Sequence, residues 1–302
     1  MHAMKQLFTR IFCSRRKYYA TLRPTQYTAA LREWYYRNTS KLLDLNRPRT
    51  FNEKMQWLKL NDSTREKSQL ADKVLAKQLI AEKIGASHIV PMLGAWDNAN
   101  DINFAAFPES FVLKSSHASG WNLIVRDKQK LNHGDARKAI KKWLRTNYAF
   151  ESGFELHYAP IKPRMVLENY LSNKKGGFVY NYQFFCFHGR PQLIRIGLPD
   201  VTGLSPNSPY ASFNLDFVQV PNITRSQLLT DLPRNMECLA DMAELSRILS
   251  RDFIFVRVDF YQMSGEIYVG EMTFTPASGI IKWSDEKSDH YYGEMLTLPI
   301  DG

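Results

Sequence analysis

The sequence predicts an α+β fold in two strand-rich parts, preceded by a basic and mostly helical segment. Three observations predict it. Near the C-terminus, Phe255-Val-Arg-Val-Asp-Phe-Tyr261 and Ile267-Tyr-Val-Gly-Glu-Met-Thr-Phe-Thr-Pro-Ala-Ser-Gly279 are β-branched and aromatic, with polar residues interrupting at period two. Such alternation reads as strand, and Met263-Ser-Gly-Glu266 between them reads as a hairpin turn. Earlier, Phe111-Val-Leu-Lys-Ser-Ser-His-Ala-Ser-Gly-Trp-Asn-Leu-Ile-Val125 reads as strand, small polar loop and strand. Between and before these lie stretches with helical rather than alternating patterning.

Taken in order, residues 1–50 are basic and mostly helical. Residues 51–109 form a helical lobe. In it an amphipathic helix opens at Ala71-Asp-Lys73, with Leu70, Val74, Ala81 and Ile84 among its apolar positions, and stops near Gly85. A short strand follows at Ile89 to Leu93. Pro108 marks entry to a first α+β subdomain over residues 110–163, with a helix from Asp135 to Asn147. Residues 164–302 form a second subdomain. Its strands are expected at Met165–Leu171, Tyr182–His188, Gln192–Gly197, Phe253–Phe260 and Glu266–Phe274, with a helix from Asn235 to Ser250. Gly197 to Pro221, rich in Pro, Gly, Ser and Asn, is long for a plain loop and reads as functional or ordered by substrate.

Composition sets outer bounds. With 302 residues, 44% hydrophobic and 23% charged, the chain can bury a large core and is globular. No run of about 18 apolar residues is present, so no membrane-spanning helix is expected. Leu7-Phe8 and Ile11-Phe12 are too short for a signal-peptide core. Cys13, Cys186 and Cys238 are widely spaced, without metal or redox spacing, and fit a reducing cytoplasm. Cys186, in an apolar strand, reads as an inert core residue.

The charge is local. Residues 1–50 hold eleven Lys and Arg against Glu33 and Asp44, a net of +9 in a chain whose net is +10. Aromatics accompany it, including Phe8, Phe12, Tyr18, Tyr19, Trp34 and Tyr35. Three readings stand. The segment packs on the enzyme as a helix with a solvated basic face. It lies on an anionic membrane surface. Or it attracts an acidic polysaccharide. No motif supports nucleic-acid binding.

The hairpin carries chemistry. Asp259 and Glu271 fall on adjacent antiparallel strands where their carboxylates can converge. Two carboxylates flanked by apolar residues are costly to bury without a cation. Hard oxygen ligands on stiff strands suit Mg²⁺ completed by nucleotide phosphates. Arg257, two residues before Asp259 on the same face, can pair a phosphate or a developing negative charge. A surface salt bridge explains the hairpin equally well. Upstream, Lys114 stands at the entrance of a loop whose small residues and Gly120 let backbone N–H groups approach phosphate. His157 and His188 lack partners at metal-ligand spacing.

The ordered set resembles the ATP-grasp superfamily: a Lys-led helix, a Lys at a small-residue loop, a strand with Glu168, then Arg-x-Asp and Glu-x-Thr on a hairpin. More narrowly, the chain resembles the TupA-like ATP-grasp family of bacterial surface-polysaccharide gene clusters. That match rests on Thr50-Phe-Asn-Glu-Lys-Met-Gln-Trp-Leu-Lys59, Phe111 to His117, Tyr182-Gln-Phe-Phe-Cys-Phe-His-Gly189, and Phe255 to Tyr261 with Gly270-Glu-Met-Thr-Phe274.

The resemblance implies a fold of two subdomains clasping ATP, and roles position by position. Lys73 and Lys114 would contact the phosphates. The loop containing Ser115, Ser116, His117, Ser119 and Gly120 would close over them. Glu168, Asn169, Tyr170 and Leu171 would form the adenine hinge, with Asn181 beside the ribose. Asp259, Glu271 and Thr273 would hold Mg²⁺, and Arg257 with Lys114 would act in catalysis. Ser278 and Gly279, with Lys282 after them, resemble a turn that lines the acceptor site. The implied activity joins a carboxylate to an amine through an acyl phosphate. The expected partners are an acidic sugar or polysaccharide and an amino acid or other amine. The implied location is the cytoplasm, peripheral on the inner membrane face if the basic segment binds there. The sequence departs from the family in its loop, which reads His117-Ala-Ser-Gly-Trp-Asn122 instead of His-Gly-Ser-Gly-Gly-Asn. It departs again at Asn181 and Gln183, where Asp and Lys are usual, and at neutral Thr273. Two rival readings are a glycosyltransferase, for which an Asp-x-Asp site is missing, and a non-catalytic nucleotide-binding scaffold.

Overall fold

The computed structural model describes residues 15–171, 179–198, 208–221, 223–224, 227–233 and 236–300. Two antiparallel sheets organise them. The smaller contains β1 (Met92–Trp96), β2 (Phe111–Ser115), β3 (Asn122–Val125) and β4 (Met165–Asn169), in the order β1-β4-β2-β3. The larger contains β5 (Asn181–Phe187), β6 (Arg190–Gly197), β7 (Tyr210–Phe213), β8 (Gln219–Val220), β9 (Phe255–Met263) and β10 (Glu266–Thr273). Its order is β10-β9-β5-β6-β7-β8.

The helices are α1 (Pro24–Thr39), α2 (Phe51–Asn61), α3 (Arg65–Ala71), α4 (Leu75–Ile84), α5 (His133–Leu144), α6 (Cys238–Ser250) and α7 (Glu286–Glu294). Thr50 and Glu53 form a capping box at α2: the Thr50 hydroxyl accepts from the Glu53 amide, and the Glu53 carboxylate accepts from the Thr50 amide. Ala136 and Ile140 of α5 pack on the small sheet against Phe111, Leu113, Met165 and Leu167.

Strand pleating gives the large sheet two unlike faces. Tyr182, Phe184 and Cys186, with Ile194, Ile196, Val256, Val258 and Phe260, point to one face. There they form the main core with α6 and with Leu70, Ala76 and Ile80 of α3 and α4. Cys186 is the buried core residue expected, and burial pushes its thiol up to about 12. The opposite face changes character along the strands. At one end Phe185, Phe187, Leu193 and Phe255 are apolar and pack on α2 and α7. At the other end Asn181, Gln183, Arg195, Arg257, Asp259 and Tyr261 are polar and face the smaller sheet's loop. The β9–β10 turn has positive φ at both central residues, Ser264 and Gly265. A two-residue hairpin needs that geometry for its twist to match the strands.

Several expectations change. The helix expected to open at Ala71 is interrupted there: α3 ends at Ala71 and α4 starts at Leu75. Asp72 breaks it: its Oδ1 accepts from the Val74 amide at 2.9 Å, and its Oδ2 takes Arg164 Nη2 at 2.7 Å. The strand expected at Ile89–Leu93 begins after Pro91, which has no N–H to give to a ladder. The boundary expected between residues 163 and 164 divides a sheet. β4 lies between β1 and β2, with Phe111 opposite Asn169 and Ser115 opposite Met165. Pairing across 50 residues, and not chain order, decides membership. The helix expected at Asp135–Asn147 starts two residues earlier and ends three earlier, at Leu144, and the one expected at Asn235–Ser250 starts at Cys238, shifts of the size usual at helix ends. The stretch from Gly197 to Pro221, expected as a loop, contains β7 and β8, while residues 199–207 lie outside the described residues.

The segment after residue 14 packs on the body. Tyr19, Leu31, Trp34 and Tyr35 join Phe150, Phe154 and Tyr158 in one cluster. Arg16 pairs with Glu151 and Lys41 with Glu286. Lys5, Arg10 and Cys13 lie outside the described residues.

Candidate active site

The site forms where the polar end of the large sheet meets the small-sheet loop. Asp259 and Glu271 are register partners on β9 and β10, as are Arg257 and Thr273. Arg257 forks onto Asp259, Nε to Oδ1 at 2.6 Å and Nη2 to Oδ2 at 2.7 Å. The same Nη2 lies 3.3 Å from Glu271 Oε1 and 3.2 Å from Thr273 Oγ1. Asp259, Glu271 and Thr273 therefore converge on one guanidinium. Burial pushes the Asp259 carboxyl up to about 6 against the pull of Arg257. Burial pulls Arg257 down, but the Asp259 carboxylate outweighs it and holds the guanidinium above its ordinary value. A bulge between Val269 and Glu271 aims Glu271. Gly270 at that bulge is required, because a Cβ there would lie 2.6 Å from the Tyr261 ring.

From the other side come two lysines. Lys73 lies in the break between α3 and α4, and its Nζ donates to the Ala118 carbonyl at 2.6 Å. Lys114, on β2, pairs with Glu168 Oε2 at 2.6 Å, while Lys77 of α4 pairs with Glu168 Oε1 at 2.6 Å. Burial alone would raise the Glu168 carboxyl; two ammoniums outweigh it and hold it down to about 2. Burial likewise lowers Lys114, and Glu168 outweighs that to leave it at about 12. At Lys77 burial wins, and the ammonium is lowered.

A cavity of about 120 Å³ lies between these groups. Lys73, Lys114, Ser119, Gly120, Asn181 and Glu271 line it, so six of the sequence-predicted residues are brought together. Glu168 stands behind Lys114 beside a second, smaller cavity. Ser115, Ser116 and His117 are buried and bonded inward instead. Ser115 Oγ lies 2.9 Å from His117 Nδ1, and His117 Nε2 lies 3.0 Å from the Trp143 carbonyl. Ser116 Oγ donates to the Lys162 carbonyl at 3.1 Å. Their side chains anchor the base of the loop, whose tip is formed by Ser119 and Gly120. Asn169 is exposed at the end of β4, and Tyr170 lies under Arg126 with 5.7 Å between ring centre and guanidinium. Leu171 ends the described part of that linker.

The donors suit Mg²⁺. Beside the two carboxylates, Asn181 Oδ1 is buried and without a hydrogen-bond partner. All are hard oxygens. Among the described residues no three His, Cys, Asp or Glu side chains gather to hold a metal alone. Phosphate and water would complete the shell, as they commonly do for this ion.

With that geometry in view, the family comparison is decisive: a TupA-like ATPgrasp model matches residues 53–297. The chain belongs to the TupA-like ATP-grasp family. No curated protein matches it. Among solved structures, this ATP-grasp chain is similar to D-alanine–D-alanine ligase from Helicobacter pylori, at 16% identity and a TM-score of 0.41 over 77% of this chain and 60% of that one. It is also similar to D-alanine–D-alanine ligase from Bacillus anthracis, at 16% identity and 0.37 over 68% and 57%. A third is D-cycloserine synthetase DcsG, at 14% identity and 0.40 over 76% and 71%. The chain thus spans less than two thirds of the two D-alanine–D-alanine ligases.

The departures of this ATP-grasp chain from its family have packing reasons. Ala118 is buried in the cluster that holds α1. Trp121 stacks on Trp143 at 6.2 Å and meets Tyr148 edge-on at 5.1 Å. The loop is thereby pinned at both ends by side chains where glycines usually stand.

Sequence reasoning missed Lys77, whose spacing of four from Lys73 was the available signal. It also missed Lys59 and Glu155, which nothing local marks. Lys59 is buried, with Nζ 2.8 Å from Gln56 Oε1 and 4.3 Å over the Trp34 ring. Burial lowers it to about 7, against the pull of Glu155. Glu155 accepts from the Thr275 hydroxyl and from Ser278 Oγ, while Gln56 donates to the Gly279 carbonyl at 2.6 Å. This buried network supports the turn after β10, where Ala277 and Ser278 both have positive φ. Lys282 is exposed beyond it.

Proposed function

We propose that the protein is an ATP- and Mg²⁺-dependent carboxylate–amine ligase. In this reading it joins an amino acid to a uronic acid of a bacterial surface polysaccharide or its precursor. Family membership supports the ligase class. The observation that carries the reading is the convergence of Lys73, Lys114 and the Ser119–Gly120 loop tip on the Glu271 side of the hairpin cluster.

Each group then has a task. Lys73 and Lys114 offer positive charge to a triphosphate, and the loop tip offers backbone amides. Asp259, Glu271 and Thr273, with the orphaned Asn181 Oδ1 nearby, would hold Mg²⁺. That ion would neutralise charge on the transferring phosphoryl group. The substrate carboxylate attacks the terminal phosphorus, and ADP leaves. Arg257, fixed by its fork onto Asp259, offsets the negative charge that develops. The amine then attacks the acyl carbon, phosphate departs with the acyl oxygen, and the nitrogen loses its proton to give the amide. Trp121, Tyr148 and Tyr158 wall the loop side with apolar rings, which limits loss of the acyl phosphate to water.

The enzyme would work in the cytoplasm. No helix among the described residues is long and apolar enough to cross a membrane. Residues 1–22 are proposed to meet an anionic surface through Lys5, Arg10, Arg15, Arg16 and Lys17.

The test is thermal shift with ATP, with and without Mg²⁺, followed by ADP release on adding uronic acids with pooled amino acids. Mg²⁺-dependent stabilisation, with ADP formed only when carboxylate and amine are both present, supports the ligase. No ATP-dependent shift overturns it.

A further inference from the structure

Five polar side chains run in register across the large sheet: Ser212, Arg195, Gln183, Asp259 and Glu271. This row lies one pleat deeper than Tyr210, Asn181 and Tyr261, which line the cavity. Asp259 and Glu271 have Arg257. Arg195 has no such counterpart. Among the described residues no carboxylate lies within ion-pair distance of it, and its Nε is buried without a hydrogen-bond partner. Its contacts are two rings, Tyr210 at 4.0 Å and Phe185 at 5.8 Å from the guanidinium carbon. It is half-buried. Its register partner Gln183 also leaves Oε1 buried and unpaired. A donor and an acceptor thus stand side by side on neighbouring strands, each unsatisfied.

Arginine cannot escape this by losing its proton at physiological pH. Burial lowers the guanidinium to about 10, which still leaves it charged. A half-buried charge without a carboxylate partner is costly, and a bound anion would offset that cost. β6 is two strands from β9, so the backbone beneath Arg195 is about 10 Å from that beneath Asp259. That distance is too great for sharing one phosphoryl group and suits a second group on the same substrate.

We propose that Arg195 anchors a second anion subsite, which takes a carboxylate or phosphate group of the substrate other than the reacting carboxylate. The neighbouring Gln183 Oε1 accepts from a hydroxyl beside that group. Tyr210 bridges the subsite and the nucleotide cavity, since it stacks on Arg195 and lines the cavity. The substrate is then an acid bearing a second charge and a vicinal hydroxyl, the chemistry of a sugar phosphate or a chain of acidic sugars. This deepens the ligase reading and rests on it for the reaction; binding of the anion does not depend on it.

The test uses thermal unfolding of the full chain with sodium acetate and with inorganic phosphate, in wild type, Arg195→Gln, Arg195→Met, Lys114→Ala and, as control, Arg190→Gln at an exposed position on the same strand. At least one anion should raise the wild-type midpoint saturably, by about 2 °C at roughly ten times its dissociation constant. The part of that response set by Arg195 should vanish in both Arg195 variants and persist in Lys114→Ala and Arg190→Gln. A response to acetate assigns a carboxylate group, and one to phosphate assigns a phosphorylated sugar. The ligand-free midpoint of Arg195→Met should hold or rise, because a partnerless charge is removed. An anion response equal in wild type and both Arg195 variants overturns the proposal, as does no response in wild type. A ligand-free midpoint that falls while the anion response stays makes Arg195 a prop for Tyr210 and also overturns it. Loss of the Mg²⁺–ATP shift in wild type would sink the ligase reading separately.

Discussion

Glu168→Gln isolates the electrostatics that tie α4 to the small sheet. Glu168 sits on β4 of the small sheet, 5% exposed, with Lys77 and Lys114 each at 2.6 Å. Its carboxyl is held at about 2 against an ordinary 4.5. That gap is equivalent to about 3 kcal/mol of stability at neutral pH. The sign follows from the folded value being the lower one. The unfolded chain takes up the proton first, so the contribution is whole above 4.5 and is lost as pH falls toward 2. By about pH 3 roughly half of it has gone. The variant keeps the shape and removes the charge, leaving two ammoniums facing a neutral amide. Urea unfolding of wild type and Glu168→Gln at pH 7 and pH 3 measures it. We expect a deficit of about 3 kcal/mol at pH 7, carried by the midpoint with the slope unchanged, and about half that at pH 3. A deficit under about 1 kcal/mol at pH 7 would place the triad among ordinary surface pairs and refute the reasoning. An equal deficit at both pH values would also refute it, because the charge would not be the cause.

Further expectations follow from the same structure. Asp259→Asn and Glu271→Gln should abolish Mg²⁺-dependent ADP release while the chain still folds, as read by steady-state assay beside circular dichroism; full activity in either removes the metal assignment. Lys73→Ala and Lys114→Ala should weaken ATP binding in calorimetry by about tenfold or more, the scale of a charge-assisted phosphate contact. Gly153→Ala should destabilise by about 2 to 4 kcal/mol, since φ is +75 and a Cβ would lie 2.5 Å from the Trp34 ring; an unchanged melting temperature would contradict that packing. Deleting residues 1–22 should release the protein from anionic liposomes in a flotation assay, and equal binding by both forms would end the membrane reading.

Glu155→Gln probes the network beneath the turn after β10. It removes the acceptor charge facing the Thr275 and Ser278 hydroxyls and leaves Lys59 without its balancing carboxylate. We expect a loss of about 1 to 3 kcal/mol in urea unfolding, the scale of losing a charged acceptor for buried hydroxyls. A double variant with Lys59→Met should recover much of it.

What the sequence determined by itself is local. Alternation along Phe255 to Tyr261 places Arg257 and Asp259 on one face, because successive side chains on a pleated strand point to opposite sides. The Ser264–Gly265 turn then brings Glu271 beside Asp259. Tertiary structure decided which distant elements meet. β4 entered the small sheet between β1 and β2. Lys77 reached Glu168 from a helix 91 positions away. Glu155 came near Lys59 from 96 positions away, and Arg195 came to lie in one row with the hairpin carboxylates. No periodicity encodes these meetings. They follow from burying both sheets' apolar faces at once and then satisfying, or leaving for a ligand, the polar groups that burial strands.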